Sequence, residues 1–256
     1  MLQGIRQQTD GMERIAVLAD VHGVLPALEA VLGEPEVQRA DLVVLAGDIA
    51  SGPMPVQTLD VLTGLGDRVV WVRGNADREL VEMVRGTYDE EPPDAVSPWA
   101  AEQLRADQVE LLAGLPLTVT IGDVLFCHAT PRDDVEMVLV DSPISRWAQV
   151  FSGLPEEVRT VVCGHTHMPY ARQVDRRQVV NAGSVGMPYG APGPTWAHLS
   201  ENGVQLRHTP IDAAKAADRI VSESTYPGRT EWVEEYLLHT YSDTEALEAF
   251  RPRAEG

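Results

Sequence analysis

Two histidines separated by one residue, His165 and His167, are the clearest candidates for chemistry in this 256-residue chain. They follow Gly164, at the end of a short apolar run that begins at Val161. If that run is a buried strand, both side chains lie in the loop at its carboxyl end, where they can converge on a ligand without disturbing the core. Closely spaced imidazoles are typical transition-metal ligands. Because such pairs also occur on half-exposed strands, this pair alone is weak evidence for a metal site.

Further ligand-type residues follow other predicted strands. The strands are predicted from short apolar runs over residues 14–20, 41–46, 68–72, 124–127 and 159–163. Seven oxygen or nitrogen donors lie at or just past these strand ends: Asp20, His22, Asp48, Asn75, His128, His165 and His167. Each one alone has an ordinary role as a turn former, a helix cap or a satisfied polar residue. Their recurrence at five successive strand ends predicts a metal site.

The elements that must position these donors repeat as strand, donor loop and helix. The first three strands are each followed by apolar residues at helical spacing, at 25–32, 56–62 and 79–84. Such alternation predicts an α/β fold with parallel strands and right-handed crossovers, in which ligands gather at the carboxyl ends of the strands.

The rest of the chain is predicted to contain a β-hairpin, short helices and further short strands. The turn signal Gly122-Asp123 favours the hairpin, and residues 98–113 favour two short helices. For the domains, we expect an unstructured lead-in over residues 1–11, one main domain over 12–210, and a helical appendage over 211–256 packed on that domain. The helical appendage carries no recognisable chemistry, which favours a role in packing or dimerisation.

Composition limits the classes of partner. The formal net charge is −19, and Lys215 is the only lysine, so we expect neither stable nucleic-acid binding nor membrane binding. The two cysteines, Cys127 and Cys163, form no C-x-x-C pair and are predicted to be buried and structural. Without an apolar run of 18 residues or an apolar leader, we expect a cytoplasmic protein. A homo-oligomer is compatible with the sequence.

The motifs ADVHG, LAGDI, RGNAD, CHATPRD, GHTH and NAGSVG resemble those of the calcineurin-like metallophosphoesterase superfamily, in particular its small bacterial phosphodiesterases. The resemblance extends from Ile15 to Leu206. It implies a four-layer α/β/β/α sandwich with a two-metal centre between the sheets. It also implies two ligand sets that share a bridging Asp48: Asp20, His22, Asp48 and His167 for one metal, and Asp48, Asn75, His128 and His165 for the other.

Two divalent ions about 3.5–4 Å apart can share a carboxylate and a water, lower the pKa of that water and clamp the oxygens of an in-line displacement at phosphorus. The mixed donor set suits manganese best, with iron, zinc, nickel or cobalt as alternatives. We therefore predict a hydrolase that cleaves small phosphodiesters or nucleotides by attack of hydroxide bridging two metal ions. The alternatives are a phosphomonoesterase and a catalytically silent metal-binding scaffold, the role attributed to the related subunit of retromer.

One position departs from the family pattern. Many members carry a histidine after the asparagine ligand, where it is thought to assist the leaving group, but this chain has Ala76. Asp48, Asn75 and Asp77 are the predicted catalytic residues, and for Asp77 we favour orientation of a ligand over direct proton transfer. Asn181 and Ser184 are expected either to bind phosphate or to shape their loop. The remaining substrate-binding candidates, each with a structural salt bridge as the alternative, are Arg73 and Arg132.

Overall fold

The computed structural model of the chain describes residues 14–254. Within this range the strands are β1 (Ile15–Leu18), β2 (Leu42–Ala46), β3 (Val69–Val72), β4 (Thr118–Ile121), β5 (Val124–Cys127), β6 (Thr160–Cys163), β7 (Tyr170–Val174), β8 (Arg177–Asn181), β9 (Thr195–Ser200) and β10 (Gly203–His208). The helices are α1 (Leu25–Leu32), α2 (Pro35–Gln38), α3 (Pro55–Thr63), α4 (Asn75–Arg85), α5 (Val96–Gln103), α6 (Ala106–Ala113), α7 (Ile144–Val150), α8 (Ala213–Glu223), α9 (Arg229–Val233) and α10 (Asp243–Ala254). A 3₁₀ turn (Gly66–Arg68) precedes β3, and a π-helical turn (Glu234–Leu238) follows α9.

The described strands form two five-stranded sheets. The first has the order β10-β9-β1-β2-β3, and the second has the order β4-β5-β6-β8-β7. Strands β1, β2 and β3 are parallel, as are β5, β6 and β8, and the other pairings are antiparallel. The parallel strands at the centre of both sheets therefore direct their carboxyl ends, and the loops that follow them, to defined edges of the sandwich.

The two sheets pack face to face around an apolar core. Side chains from both sheets meet there, including Val17 of β1, Val44 of β2, Phe126 of β5 and Val162 of β6, all fully buried. Because neighbouring side chains on a strand point to opposite faces, Ala16 and Leu18 are left for the outer face of the first sheet. This burial of both faces explains why the strands have continuous apolar sequences rather than alternating ones.

Helices cover the outer faces of both sheets. Leu28 of α1, Leu59 of α3 and Leu80 of α4 belong to the apolar cluster over the first sheet. Trp147 of α7 belongs to the cluster over the second sheet. The layers are thus helix, sheet, sheet and helix, which confirms the predicted four-layer α/β/β/α sandwich.

Helices α8 and α9 pack onto the side of the first sheet's helical layer. Ala217, Ile220 and Trp232 join the same apolar cluster as α1, and the ring of Tyr226 lies 5.2 Å from that of Trp99. The division into domains at residue 210 stays a prediction, and the lead-in over residues 1–11 lies outside the described residues. No helix between residues 14 and 254 is long and apolar enough to cross a membrane.

Both cysteines should be unreactive in the folded protein. Cys127 ends β5 and Cys163 ends β6; both are buried and neither forms a disulfide. Burial raises the pKa of Cys163 to about 12 and that of Cys127 well above its usual range. Since the thiolate is the reactive form, we expect Ellman's reagent at pH 8 to label neither thiol in the native protein and both in guanidinium. Rapid labelling of the native protein would contradict this.

Candidate metal centre

The structure brings the seven predicted ligands together at the carboxyl ends of strands from both sheets. Two groups of three have one donor atom each within 4.8 Å of the others. The first group is Asp20, His22 and His167, and the second is Asp48, His128 and His165. Asn75, at the start of α4, joins the second group through its side-chain oxygen, which lies 3.2 Å from Nε2 of His128. The two sheets thus contribute to both groups.

The backbone at these positions is held in an unusual conformation. Among the described residues other than glycine, six have positive φ, and five of these are predicted ligands: Asp20 at 53°, His22 at 48°, Asp48 at 55°, His165 at 68° and His167 at 57°. The left-handed region costs free energy for residues with a Cβ, and such strain persists only where the surrounding structure enforces it. Concentration of the strain at these five positions points to a functional site.

Two glycines allow the loops to approach the carboxylates closely. A Cβ placed on Gly74 would lie 2.2 Å from Oδ1 of Asp48, and one placed on Gly164 would lie 2.3 Å from Oδ2 of Asp20. Both distances are far below contact distance, so a side chain at either glycine would displace a carboxylate. The backbone N–H of His165 donates to the Asp20 carboxylate at 2.9 Å, which ties a loop of the second sheet to a loop of the first.

In the first group, the histidine rings face one another across a short gap. Nε2 of His22 lies 3.1 Å from Nε2 of His167, and the latter lies 3.2 Å from Oδ1 of Asp20. Each ring uses its other nitrogen to donate to a backbone carbonyl, at 3.1 Å to Ser51 and at 2.9 Å to Met187. These carbonyl contacts assign the proton to Nδ1 in both rings and leave two Nε2 lone pairs facing each other.

In the second group, too, each histidine ring donates one N–H to a backbone carbonyl. Nδ1 of His128 donates to the carbonyl of Ala46 at 2.8 Å, and Nε2 of His165 donates to the carbonyl of Val135 at 3.2 Å. The remaining nitrogens, Nε2 of His128 and Nδ1 of His165, lie 3.2 Å apart. Oδ2 of Asp48 lies 3.3 Å from the same nitrogen of His128. Backbone carbonyls that orient all four rings are the outer contacts expected around metal-binding histidines.

Asp48 lies between the two groups. Besides its contact with His128, Oδ2 is 3.8 Å from Nε2 of His22 in the first group. Oδ1 accepts the backbone N–H of Ala76 at 2.8 Å. The Asp48 side chain is almost completely buried. Asp48 therefore approaches an imidazole of each group.

The charges and lone pairs of the site fit divalent cations. Facing imidazole lone pairs repel unless a cation or a proton lies between them. Burial lowers the pKa of His128. The negative charge and hydrogen bond of Asp48 have the larger, opposite effect, and the pKa of His128 is raised to about 10. Burial and the neighbouring His128 lower the pKa of His165 to about 4. Burial also opposes ionisation of Asp48, but the adjacent imidazoles hold its pKa well below its usual range. A buried, ionised carboxylate among nitrogen donors is a suitable environment for a transition-metal ion.

Asp77 organises the backbone beneath the ligands. Its fully buried carboxylate accepts the backbone N–H groups of Asp48 at 3.0 Å, Ile49 at 2.9 Å and Gly74 at 2.9 Å. Burial and the charge of Asp48 raise the pKa of Asp77 to about 7. Because both oxygens are engaged by backbone donors and shielded from solvent, the geometry favours positioning over direct proton transfer.

Asn181 and Ser184 shape their loop. The Asn181 amide donates to the carbonyl of Gly164 and to Oγ1 of Thr166, and its oxygen accepts the N–H of Gly183. The Ser184 hydroxyl donates to the carbonyl of Asp20 at 2.8 Å and accepts the N–H of Met187 at the same distance. Both side chains are fully buried. Of the two roles expected from the sequence, this arrangement favours loop shaping over phosphate binding.

The two candidate arginines differ in how they are engaged. Nε of Arg73 pairs with Asp134 at 3.0 Å, and its side chain is 32% exposed. Arg132 makes two hydrogen bonds to Glu136, which is also paired with Arg146. The Arg132 guanidinium is therefore already engaged in an ion pair with Glu136. Arg73 adjoins the ligand loop and has terminal nitrogens with no hydrogen-bond partner among residues 14–254.

Sequence reasoning missed the residues that support the ligands. The Asn75 amide donates to Oε1 of Glu79 at 3.1 Å, which leaves its oxygen directed at His128. This partner was detectable, because residues four apart on a helix lie on the same face. Asp134, 6% exposed and paired with Arg73 and Arg78, gave no such signal.

Residues 13–203 match the family model of the calcineurin-like phosphoesterase superfamily domain, and the chain belongs to this superfamily. This confirms the family predicted from the motifs. Members of this superfamily are metal-dependent phosphoesterases. The two groups of histidine and aspartate side chains in this chain are suited to hold metal ions.

Individual relatives agree with this assignment. The phosphodiesterase YfcE of Escherichia coli (strain K12) is 26% identical over 200 residues, which cover 75% of this chain and 89% of that protein. The symmetrical bis(5'-nucleosyl)-tetraphosphatase of Klebsiella pneumoniae is 36% identical over 126 residues, which cover 47% of this chain and 45% of that protein. The crystal structure of a metallophosphoesterase from Sphaerobacter thermophilus superposes with a TM-score of 0.70 at 25% identity, covering 87% of this chain and 98% of that one.

Proposed function

We propose that the protein is a two-metal phosphodiesterase that hydrolyses small phosphodiesters or nucleotides. The observation that carries this proposal is the pair of donor groups with the Asp48 carboxylate within 4 Å of a histidine of each, and with the imidazoles of both groups oriented by backbone carbonyls. Its likeness to a phosphodiesterase and to a bis(5'-nucleosyl)-tetraphosphatase supports phosphate esters as substrates. Manganese is our first choice of metal, with iron, zinc, nickel or cobalt as alternatives.

In this proposal Asp20, His22, Asp48 and His167 hold one ion, and Asp48, Asn75, His128 and His165 hold the other. When bound, two divalent ions supply positive charge for the phosphate oxygens and activate water for attack at phosphorus. Asp48 fixes the spacing of the two groups, and Asp77 fixes Asp48 through the backbone. Ser184 is buried and its hydroxyl is engaged twice, which supports attack by water rather than by this serine.

The leaving group receives little help from the residue after Asn75. Ala76 is 8% exposed, and its methyl group cannot donate a proton. We therefore propose diesters or activated esters, whose leaving groups need less protonation, in preference to simple alkyl monoesters. A cytoplasmic location and a homo-oligomeric state stay predictions.

Arg73 is proposed to contact the substrate phosphate. Replacing it with alanine should raise KM for a diester about tenfold or more, the value of a lost charge-assisted hydrogen bond, while kcat changes less. Arg78 still pairs with Asp134 in this variant, so the protein should fold. Arg132→Ala is the matched control, because Glu136 already holds that guanidinium. Steady-state kinetics that show equal effects in both variants, or none in Arg73→Ala, would contradict the assignment.

The preference for diesters can be tested with two chromogenic substrates. Metal-stripped protein reloaded with manganese should hydrolyse bis-p-nitrophenyl phosphate with a higher kcat/KM than p-nitrophenyl phosphate. The two share a leaving group, so their ratio reports the preference for diester over monoester. A clear preference for the monoester would identify a phosphomonoesterase instead.

A further inference from the structure

The last helix, α10, packs beside the metal centre. It contributes Ala246, Leu247 and Phe250 to an apolar cluster. The rest of the chain contributes Met137, Leu139, Met168 and Tyr189 to the same cluster. The ring of Phe250 lies 5.8 Å from that of Tyr189, which in turn lies 5.9 Å from the ring of His167. One aromatic ring therefore separates α10 from a predicted metal ligand.

Helix α10 is also tied at both ends to the loops that orient the ligands. Before its first turn, the carbonyl of Tyr241 accepts the N–H of Gly190 at 2.8 Å. Near its last turn, Arg251 pairs with Asp141 at 2.7 Å. The helix thus spans the distance between two loops of the main domain, one around residue 189 and one around residue 139.

These two loops carry the backbone carbonyls that accept the ring N–H groups of His165 and His167. Met187, two residues before Tyr189, accepts the ring N–H of His167. Val135, two residues before Met137, accepts the ring N–H of His165. Met168, the third apolar contact, directly follows His167 in the chain. Each apolar contact of α10 is therefore either next to His167 in the chain or within four residues of a carbonyl that positions His165 or His167.

The backbone at His165 and His167 needs contacts from outside its own loop to keep its conformation. His165 and His167 both have positive φ, and a strained backbone is retained only when its surroundings leave it no alternative. The carbonyls of Val135 and Met187 belong to loops outside the strands, where sheet hydrogen bonding does not fix them. Apolar packing and two polar ties from α10 supply that constraint.

We propose that α10 is a positioning element of the metal centre, which holds His165 and His167 in the orientation that binds metal. The inference rests on the proposed metal site. The family match ends at residue 203, so this brace lies in the part of the chain beyond the shared domain. For α10 it goes beyond the expected role in packing or dimerisation, which stays a prediction for the C-terminal helices as a whole.

Cobalt(II) titration of the metal-stripped 256-residue chain, followed by visible absorbance, tests this proposal. Ala246 is 3% exposed, so Ala246→Asp places a charge in the contact and should detach α10. We expect cobalt to bind about tenfold more weakly or worse, the usual effect of losing contacts that orient ligands, with an altered absorption spectrum. Ala246→Ser and the exposed Glu248→Ala are matched controls and should bind as the wild type does.

The outcomes separate this inference from the proposed function. If the wild type binds no cobalt, the proposed metal site itself fails. If the wild type binds cobalt and Ala246→Asp binds it equally well with the same spectrum, the role of α10 is overturned. Thermal unfolding in EDTA checks that the main domain of the variant is intact. Phe250→Ala, which removes the ring against Tyr189 without burying a charge, should weaken binding in the same direction and decides the question if Ala246→Asp does not fold.

Discussion

Replacing Asp48 with asparagine is expected to lower kcat for bis-p-nitrophenyl phosphate by about 10³-fold or more, the scale of losing a central electrostatic group. Oδ2 of Asp48 lies within 4 Å of a histidine from each donor group. The substitution keeps the shape of the side chain and the acceptor for the N–H of Ala76 while removing the charge. We therefore expect a folded protein with much weaker metal binding.

The control for Asp48→Asn is Asp67→Asn, the same change at an exposed carboxylate away from the site. Activity should be unchanged in the control. Metal content measured on the same samples shows whether activity and metal are lost together. An Asp48→Asn enzyme with activity within about tenfold of wild type would remove Asp48 from its central role.

Replacing Asp77 with alanine is expected to reduce the free energy of unfolding by about 3 kcal/mol or more, because three buried N–H groups lose their acceptor and each unsatisfied donor costs about 1–3 kcal/mol. The donors belong to Asp48, Ile49 and Gly74, so the variant loosens the loops after β2 and β3 together. Asp77→Asn keeps one acceptor oxygen and should lose less.

Urea unfolding in EDTA measures this effect without any contribution from bound metal. Asp67→Ala is the matched control and should unfold as the wild type does. A cost below about 1 kcal/mol for Asp77→Ala would mean that water or a local rearrangement satisfies the three donors. Asp77 would then lose the organising role assigned to it.

The fold and the ligand positions could be predicted because both depend on short-range sequence signals. The strands are buried on both faces, so they appear as continuous apolar runs such as Leu42–Ala46. The ligands follow directly after these runs, at Asp20 and Asp48 for example, and parallel strands bring such positions to one edge. Predicting the strands and predicting the ligands after them both rely on neighbouring residues in the sequence, and not on contacts between distant residues.

The supporting contacts could not be predicted because they depend on tertiary packing. The carbonyls of Val135 and Met187 orient His165 and His167, yet every residue has a carbonyl and nothing in the sequence marks these two. Helical spacing likewise predicts α10 without showing what it packs against. The pairing of Arg132 with Glu136, which makes this arginine a weak candidate for substrate contact, could not be predicted either, because these residues lie in a loop where spacing along the chain does not decide which side chains meet.

Metal-dependent turnover by the wild-type protein tests the central claim most directly. Metal-stripped protein would be titrated with manganese, nickel, cobalt or zinc while bound metal and hydrolysis of bis-p-nitrophenyl phosphate are followed on the same sample. For the proposed two-metal phosphodiesterase, we expect no hydrolysis without metal and full activity when two ions are bound per chain. Two bound ions and no turnover with any of the four metals would contradict a phosphodiesterase and identify the chain as a metal-binding scaffold.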